Sequence, residues 1–225
     1  MEAAALHRIS TALGGLVVLA LSLLLSALFA PSAQSAFPGG NGKIAFSSDR
    51  DGNDEVYVID ADGSHPRDLT RNPAADTGLG HPSPSWSPDG RQLAFTTRRD
   101  GNLEIYVMNA DGSGQRDLTR SAGNDQAPAW SPDGRTIAFV TERHDRSDIE
   151  IAGVDGRGLR RLTHSGDVVD VAWSPDGSRL AFTRAGHGKV ELYVANADGS
   201  AIRQLTHTRG GGSSDPAWAP APRKG

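Results

Sequence analysis

The pentapeptide Trp-Ser-Pro-Asp-Gly occurs at Trp86–Gly90, Trp130–Gly134 and Trp173–Gly177, and a degraded copy begins at Trp218. The tryptophans stand 44, 43 and 45 residues apart. Two other signatures recur in step with them, each spaced 49, 44 and 43: Ala-Phe at Phe46, Phe95, Phe139 and Phe182, and Leu-Thr at Leu69, Leu118, Leu162 and Leu205. A fixed period limits the chain to stacked copies of one unit, because a single unit cannot bury its own apolar faces. Short strand-forming runs between Gly turns, repeating near 44 residues, predict an all-β fold: a β-propeller of four four-stranded antiparallel blades.

The second repeat shows how one unit is built. Pro84 to Ser87 predicts a short innermost strand, and Ser87-Pro88-Asp89-Gly90 has the residues favoured around a type I turn. The runs 92–97, 104–108 and 116–119 follow as strands, separated by Asp100-Gly101-Asn102 and Asp111-Gly112 turns. Trp86, Trp130, Trp173 and Trp218 are expected as core filling between blades, with Asp89-Gly90, Asp133-Gly134 and Asp176-Gly177 as repeated turn residues. The third unit departs most. Glu150 stands where Tyr57, Tyr106 and Tyr193 stand elsewhere, which favours relaxed constraint, with a particular role for Glu150 as the alternative.

Residues 1–36 predict a secretory signal peptide: His7 and Arg8, an apolar run to Ala30, then Pro31 and small residues at 33–36. Uncleaved, the same run would serve as a membrane anchor. Cleavage leaves 189 residues (37–225) for one propeller domain, still at net charge −4, with no membrane attachment. That balance argues against a nucleic-acid partner, and the absence of cysteine means a fold held by burial and hydrogen bonds. Repeat boundaries fall near 43–83, 84–127, 128–170 and 171–215. The first unit lacks a Trp strand and 216–219 supplies one, so the ring is expected to close by pairing that C-terminal strand with the N-terminal blade. A closed monomer is the first expectation; two chains sharing a larger ring is the alternative.

The repeats resemble those of TolB-type propellers, cousins of WD-type repeats. The resemblance is carried by Pro128 to Gly134, Ile137-Ala138-Phe139, Asp100-Gly101-Asn102, Glu104 to Gly112 and Leu118-Thr119. It implies the fold and an envelope location, periplasmic or extracellular, and not a specific activity. The resemblance covers the propeller repeats, and the amino-terminal α/β domain of TolB is not expected in this sequence. No Gly-x-Ser-x-Gly nucleophile elbow is present.

One blade face, carrying the Ser-Pro-Asp-Gly and Asp-Gly turns, is nearly invariant; the other carries links that vary in length and chemistry. Variable loops on a rigid scaffold suit binding. The candidate binding residues are Arg71, His81, Arg120, Asp125, His164, Asp170, His207 and Arg209, expected as ring-mouth loops. His144 and His187 share that side, but no His-x-x-x-His pair predicts a metal site. Asp49 to Glu55 is read as a turn rather than a calcium loop. Each unit also has an acid entering its third strand (Glu55, Glu104, Asp148, Glu191) and a cationic or titratable residue 16 positions later (Arg71, Arg120, His164, His207), expected as cross-strand pairs. No catalytic residue or cofactor is expected. The function expected is an exported, non-catalytic module for a protein, peptide or envelope polymer. A small propeller hydrolase or lyase with a loop-borne site, or a structural unit completing a larger ring, is the alternative.

Overall fold

The computed structural model describes residues 42–73, 84–186, 188–209 and 211–219. The leader at 1–36, His81 and His187 lie outside the described residues. The strands are β1 (Ile44–Ser48), β2 (Glu55–Ile59), β3 (Arg67–Asp68), β4 (Ser85–Trp86), β5 (Gln92–Thr97), β6 (Glu104–Asn109), β7 (Arg116–Asp117), β8 (Asn124–Trp130), β9 (Thr136–Arg143), β10 (Arg146–Gly153), β11 (Arg160–Arg161), β12 (Val168–Trp173), β13 (Arg179–Gly186), β14 (Lys189–Asn196) and β15 (Arg203–Gln204). They form the sheets β1-β2-β3, β4-β5-β6-β7, β8-β9-β10-β11 and β12-β13-β14-β15, each antiparallel between chain neighbours. The chain is a run of four propeller blades. β8 and β12 begin ahead of residues 128 and 171, so those repeat boundaries fall inside strands. Both strands carry a register shift, between Gln126 and Ala129 and between Val168 and Asp170. The pairing expected between 216–219 and β1 is not among the strand pairings of the described residues.

The Ser-Pro-Asp-Gly turn is closed twice over. Gly90 N–H donates to Ser87 O at 2.9 Å. Asp89 Oδ1 accepts from Ser87 Oγ at 2.7 Å and from Arg91 N at 3.1 Å, while Ser87 Oγ accepts from Gln92 N at 2.9 Å. The same bonds recur around Ser131–Asp133 and Ser174–Asp176. Ser174 and the Ser178 amide hold the Asp176 carboxyl down to about 2. These aspartates are consumed by architecture.

Blades pack face to face through three cores. Leu69, Val56 and Val58 meet Leu93, Phe95 and Met108. Leu118, Ile105 and Val107 meet Ile137, Phe139 and Trp130. Leu162, Ile149 and Ile151 meet Leu180, Phe182 and Trp173. Trp173 donates its indole N–H to Ala129 O at 3.2 Å, tying β12 to β8. At the edge, the Asp-Gly turn of one blade abuts the Leu carbonyl of the preceding blade. A Cβ added at Gly199 would lie 2.5 Å from Leu162 O, whereas one added at Gly90 would meet nothing within 4 Å.

Both glycines have positive φ, 86° at Gly199 and 67° at Gly90. Gly90→Ala is therefore expected to cost about 1–2 kcal/mol from backbone strain alone. Gly199→Ala should cost about 1 kcal/mol or more beyond that, because two blades must separate. Urea unfolding of the two variants measures the difference.

Candidate functional site

The variable face is held by an acid at the start of each third strand. Glu104 is buried and accepts from Thr119 Oγ1, from Asn102 Nδ2 at 2.8 Å and from Ser121 N at 2.9 Å. Asn102 Nδ2 also reaches Ser121 O at 3.1 Å. Glu55 accepts in the same way from Thr70, Asn53 and Asn72 N. Glu191 accepts from Thr206 and from Thr208 N and Oγ1. Asp148 accepts from Thr163 Oγ1 at 3.0 Å and Gly166 N at 3.1 Å. Each acid thus captures the Thr of Leu-Thr and an amide of the link that follows. Burial pushes the Glu104 carboxyl up against these bonds, whereas Thr206 and Thr208 hold that of Glu191 down.

This overturns the expected cross-strand charge pairs. The partner lies 15 positions after the acid, not 16, and the next residue turns away. Arg71 and Arg120 are exposed in left-handed backbone at φ 46°. Their amides donate to Asp68 and Asp117 at 3.2 and 3.1 Å. Among the described residues neither Arg forms an ion pair with Glu55 or Glu104.

The candidate binding residues separate into two zones. Arg71, Arg120, His164 and His207 are exposed and follow the outermost strands, so they mark the outer edge of the face rather than its mouth. Arg209 is exposed on the last link. Asp125 and Asp170 lie on the innermost strands β8 and β12. Asp125, expected in the binding rim, is 0% exposed; Ser121 Oγ at 2.8 Å and Arg143 Nη1 at 3.4 Å occupy it. It is an internal group and no rim residue. Asp170 is half-buried, and burial pushes its carboxyl up to about 6, with the nearby Asp215 adding to the shift.

Glu150 proves to have a particular role instead of relaxed constraint. Arg50 and Arg99 lie over the Tyr57 and Tyr106 rings, at 4.4 and 4.7 Å from the centroids. Arg143 holds the same sequence position and meets Glu150 Oε2 at 4.0 Å. Tyr57 and Tyr106 face Asp68 and Asp117 across the outer strand pair, whereas Glu150 faces Arg161, whose Nε donates to Oε1 at 3.3 Å. Both partners have changed together, so a cation over a ring becomes a buried carboxylate between two guanidinium groups.

No group of three or more His, Asp or Glu that could hold a metal occurs among the described residues. The Asp49–Gly52 stretch is a turn, closed by Gly52 N to Asp49 O at 2.9 Å. A depression of about 470 Å³ lies on the invariant face between the third and fourth blades, lined by Asp133, Ile151, Arg160, Trp173 and Asp176. The variable face offers exposed Arg71, Arg120 and Arg209, the half-buried Asp170 further in, and firmly tethered links.

The TolB beta propeller domain family matches residues 79–172, and the WD domain, G-beta repeat, matches 156–200. Among solved structures, a putative TolB from Agrobacterium tumefaciens is 28% identical with a TM-score of 0.64, over 72% of this chain and 60% of that one. TolB from Acinetobacter baumannii is 22% identical at TM-score 0.61, over 76% and 43% respectively. A chain of a nidogen/laminin complex, at 17% identity and TM-score 0.59 over 73% and 61%, shares the fold. The chain spans less than two thirds of the length of each. No curated protein matches it.

Two outcomes test this geometry. Glu150→Tyr alone should destabilise by about 2 kcal/mol, since Arg143 and Arg161 lose their shared carboxylate and keep only Asp125 at 3.4 Å and Asp148 at 3.9 Å. Adding Arg161→Asp, which restores the pairing of the other blades, should recover part of that loss in chemical denaturation. For Asp170, a folded pKa above the ordinary value means stability present at low pH is lost as pH rises through about 6. Asp170→Asn should match the parent near pH 4 and exceed it by about 1–2 kcal/mol at pH 8, read from urea midpoints.

Proposed function

This is a TolB-like β-propeller-repeat protein, and from that premise we propose that it is an exported, non-catalytic binding module holding a protein, peptide or cell-envelope polymer on its variable face. The observation that carries the proposal is the asymmetry of the two faces. On one, Ser and Asp side chains are spent inside identical turns. On the other, buried acids tether links of differing sequence and leave Arg71, Arg120, His164, His207 and Arg209 in solvent. A pre-positioned, charged and variable surface is what partner recognition needs.

Export is supported by the leader-like stretch at 1–36 and by the likeness to TolB structures. A protein partner is supported by the shared fold with a chain of a nidogen/laminin complex, itself a protein assembly. The net charge of −4 turns the choice away from nucleic acid.

The purified chain, immobilised and exposed to cell-envelope extract, should retain a partner. Arg71→Glu/Arg120→Glu/Arg209→Glu on the variable face should weaken retention at least about tenfold, an effect of the size seen on reversing several interface charges. Arg91→Glu/Arg135→Glu on the invariant face should leave it unchanged. Equal retention by both variants would overturn the choice of face.

A further inference from the structure

Each blade junction in this chain is made from the same three contacts, and the chain carries an unmade fourth set. In the first contact, the Leu of Leu-Thr shares a core with the apolar residue opening the next blade's second strand: Leu69 with Leu93, Leu118 with Ile137, Leu162 with Leu180. In the second, an Asp-Gly turn abuts that Leu carbonyl. A Cβ added at Gly112, Gly156 or Gly199 would lie 2.8, 3.2 or 2.5 Å from the oxygen of Leu69, Leu118 or Leu162. In the third, an outer-strand Arg crosses to the next blade's turn: Arg67 to Ala110 O at 3.4 Å, Arg116 to Val154 O, and Arg160 to Asp198 O at 3.2 Å.

The corresponding residues at the two ends are all present. Leu205 on the last blade is 40% exposed, against 4–6% for Leu69, Leu118 and Leu162. Ile44 on the first blade is 52% exposed, against 0–1% for Leu93, Ile137 and Leu180. Gly63 meets nothing within 4 Å, and Arg203 is exposed with no such crossing bond among the described residues. Trp218 is already docked, donating its indole N–H to Ala172 O at 3.3 Å as Trp173 does to Ala129 O. The last blade therefore presents a prepared seat, with the inner tryptophan in place, for a face like that of the first blade.

We propose that the occupant of this seat is the first blade of a second copy of the chain, and reciprocally, so that two chains join head to tail through two identical junctions. In this structure the chain's own first blade leaves the seat uncovered: Ile44 and Leu205 stay exposed, while the three junctions between successive blades are packed. Packed cores resist deformation, so a second chain can cover both exposed ends without disturbing the junctions already made. A head-to-tail contact made twice about a two-fold axis closes on itself and leaves no free end.

Light scattering and sedimentation of the purified full chain are expected to give a dimer. Ile44→Asp and Leu205→Asp, each alone, should raise the dimer dissociation constant at least about a hundredfold, in line with burying a charge at a junction core. Mixing the two variants should restore a 1:1 pair, because Leu205 of one and Ile44 of the other rebuild a single intact junction. Arg203→Glu, exposed in the monomer and harmless to its core, should weaken the dimer about tenfold and serves if the Asp variants fail to fold. A monomeric parent, an open-ended series of oligomers, or a dimer indifferent to Arg203→Glu and to both Asp variants would overturn the proposal.

Discussion

Sheet-on-sheet packing between successive blades is the interaction on which everything else rests. The strands of this chain are apolar on both sides, so an isolated blade would leave two greasy surfaces in water. Each fully buried Leu, Ile or Phe at a junction contributes about 1.5–3 kcal/mol, whereas an exposed ion pair contributes about 1 kcal/mol at most. Stacking therefore decides the fold, and the hydrogen-bonded turns set the spacing at which stacking occurs. The glycine turns are part of the same device, since their missing side chains let one sheet edge reach the carbonyls of another.

Much of this was legible in the residues. The tryptophan period gave the blade count, and the turns bounded β5 and β6 closely, at 92–97 and 104–109 against the expected 92–97 and 104–108. Strand starts were less legible where the backbone is irregular: β8 and β12 begin early because each absorbs a register shift, with Ala127 at φ 53°. No local composition signals such a shift. The closing strand is a different case. Sequence shows that 216–219 resembles an inner strand, and Trp218 does sit against β12, but complementarity of two ends does not say whether they belong to one molecule or two.

The candidate site was read less well, and for a physical reason. Charge suggests pairs of opposite sign, so Glu104 was matched with Arg120. A buried carboxylate is better served by short neutral donors that surround it than by one long cation at a turn, and Thr119, Asn102 and the Ser121 amide supply them. The invariant spacing of 15 between each acid and the Thr of Leu-Thr was visible all along. The role of Glu150 is hidden when it is compared only with Tyr57, Tyr106 and Tyr193 at its own position. Compared together with Arg161 across the sheet, it is half of a joint exchange.

The acid–threonine clasp itself grips the first residues beyond each outer strand. Chain leaving the clasp is free to lengthen, shorten or change sequence without loosening the sheet it departs from. The architecture thus uncouples innovation from folding: new specificities can be spliced between clasp and tryptophan, much as interchangeable bits are fitted to a common handle.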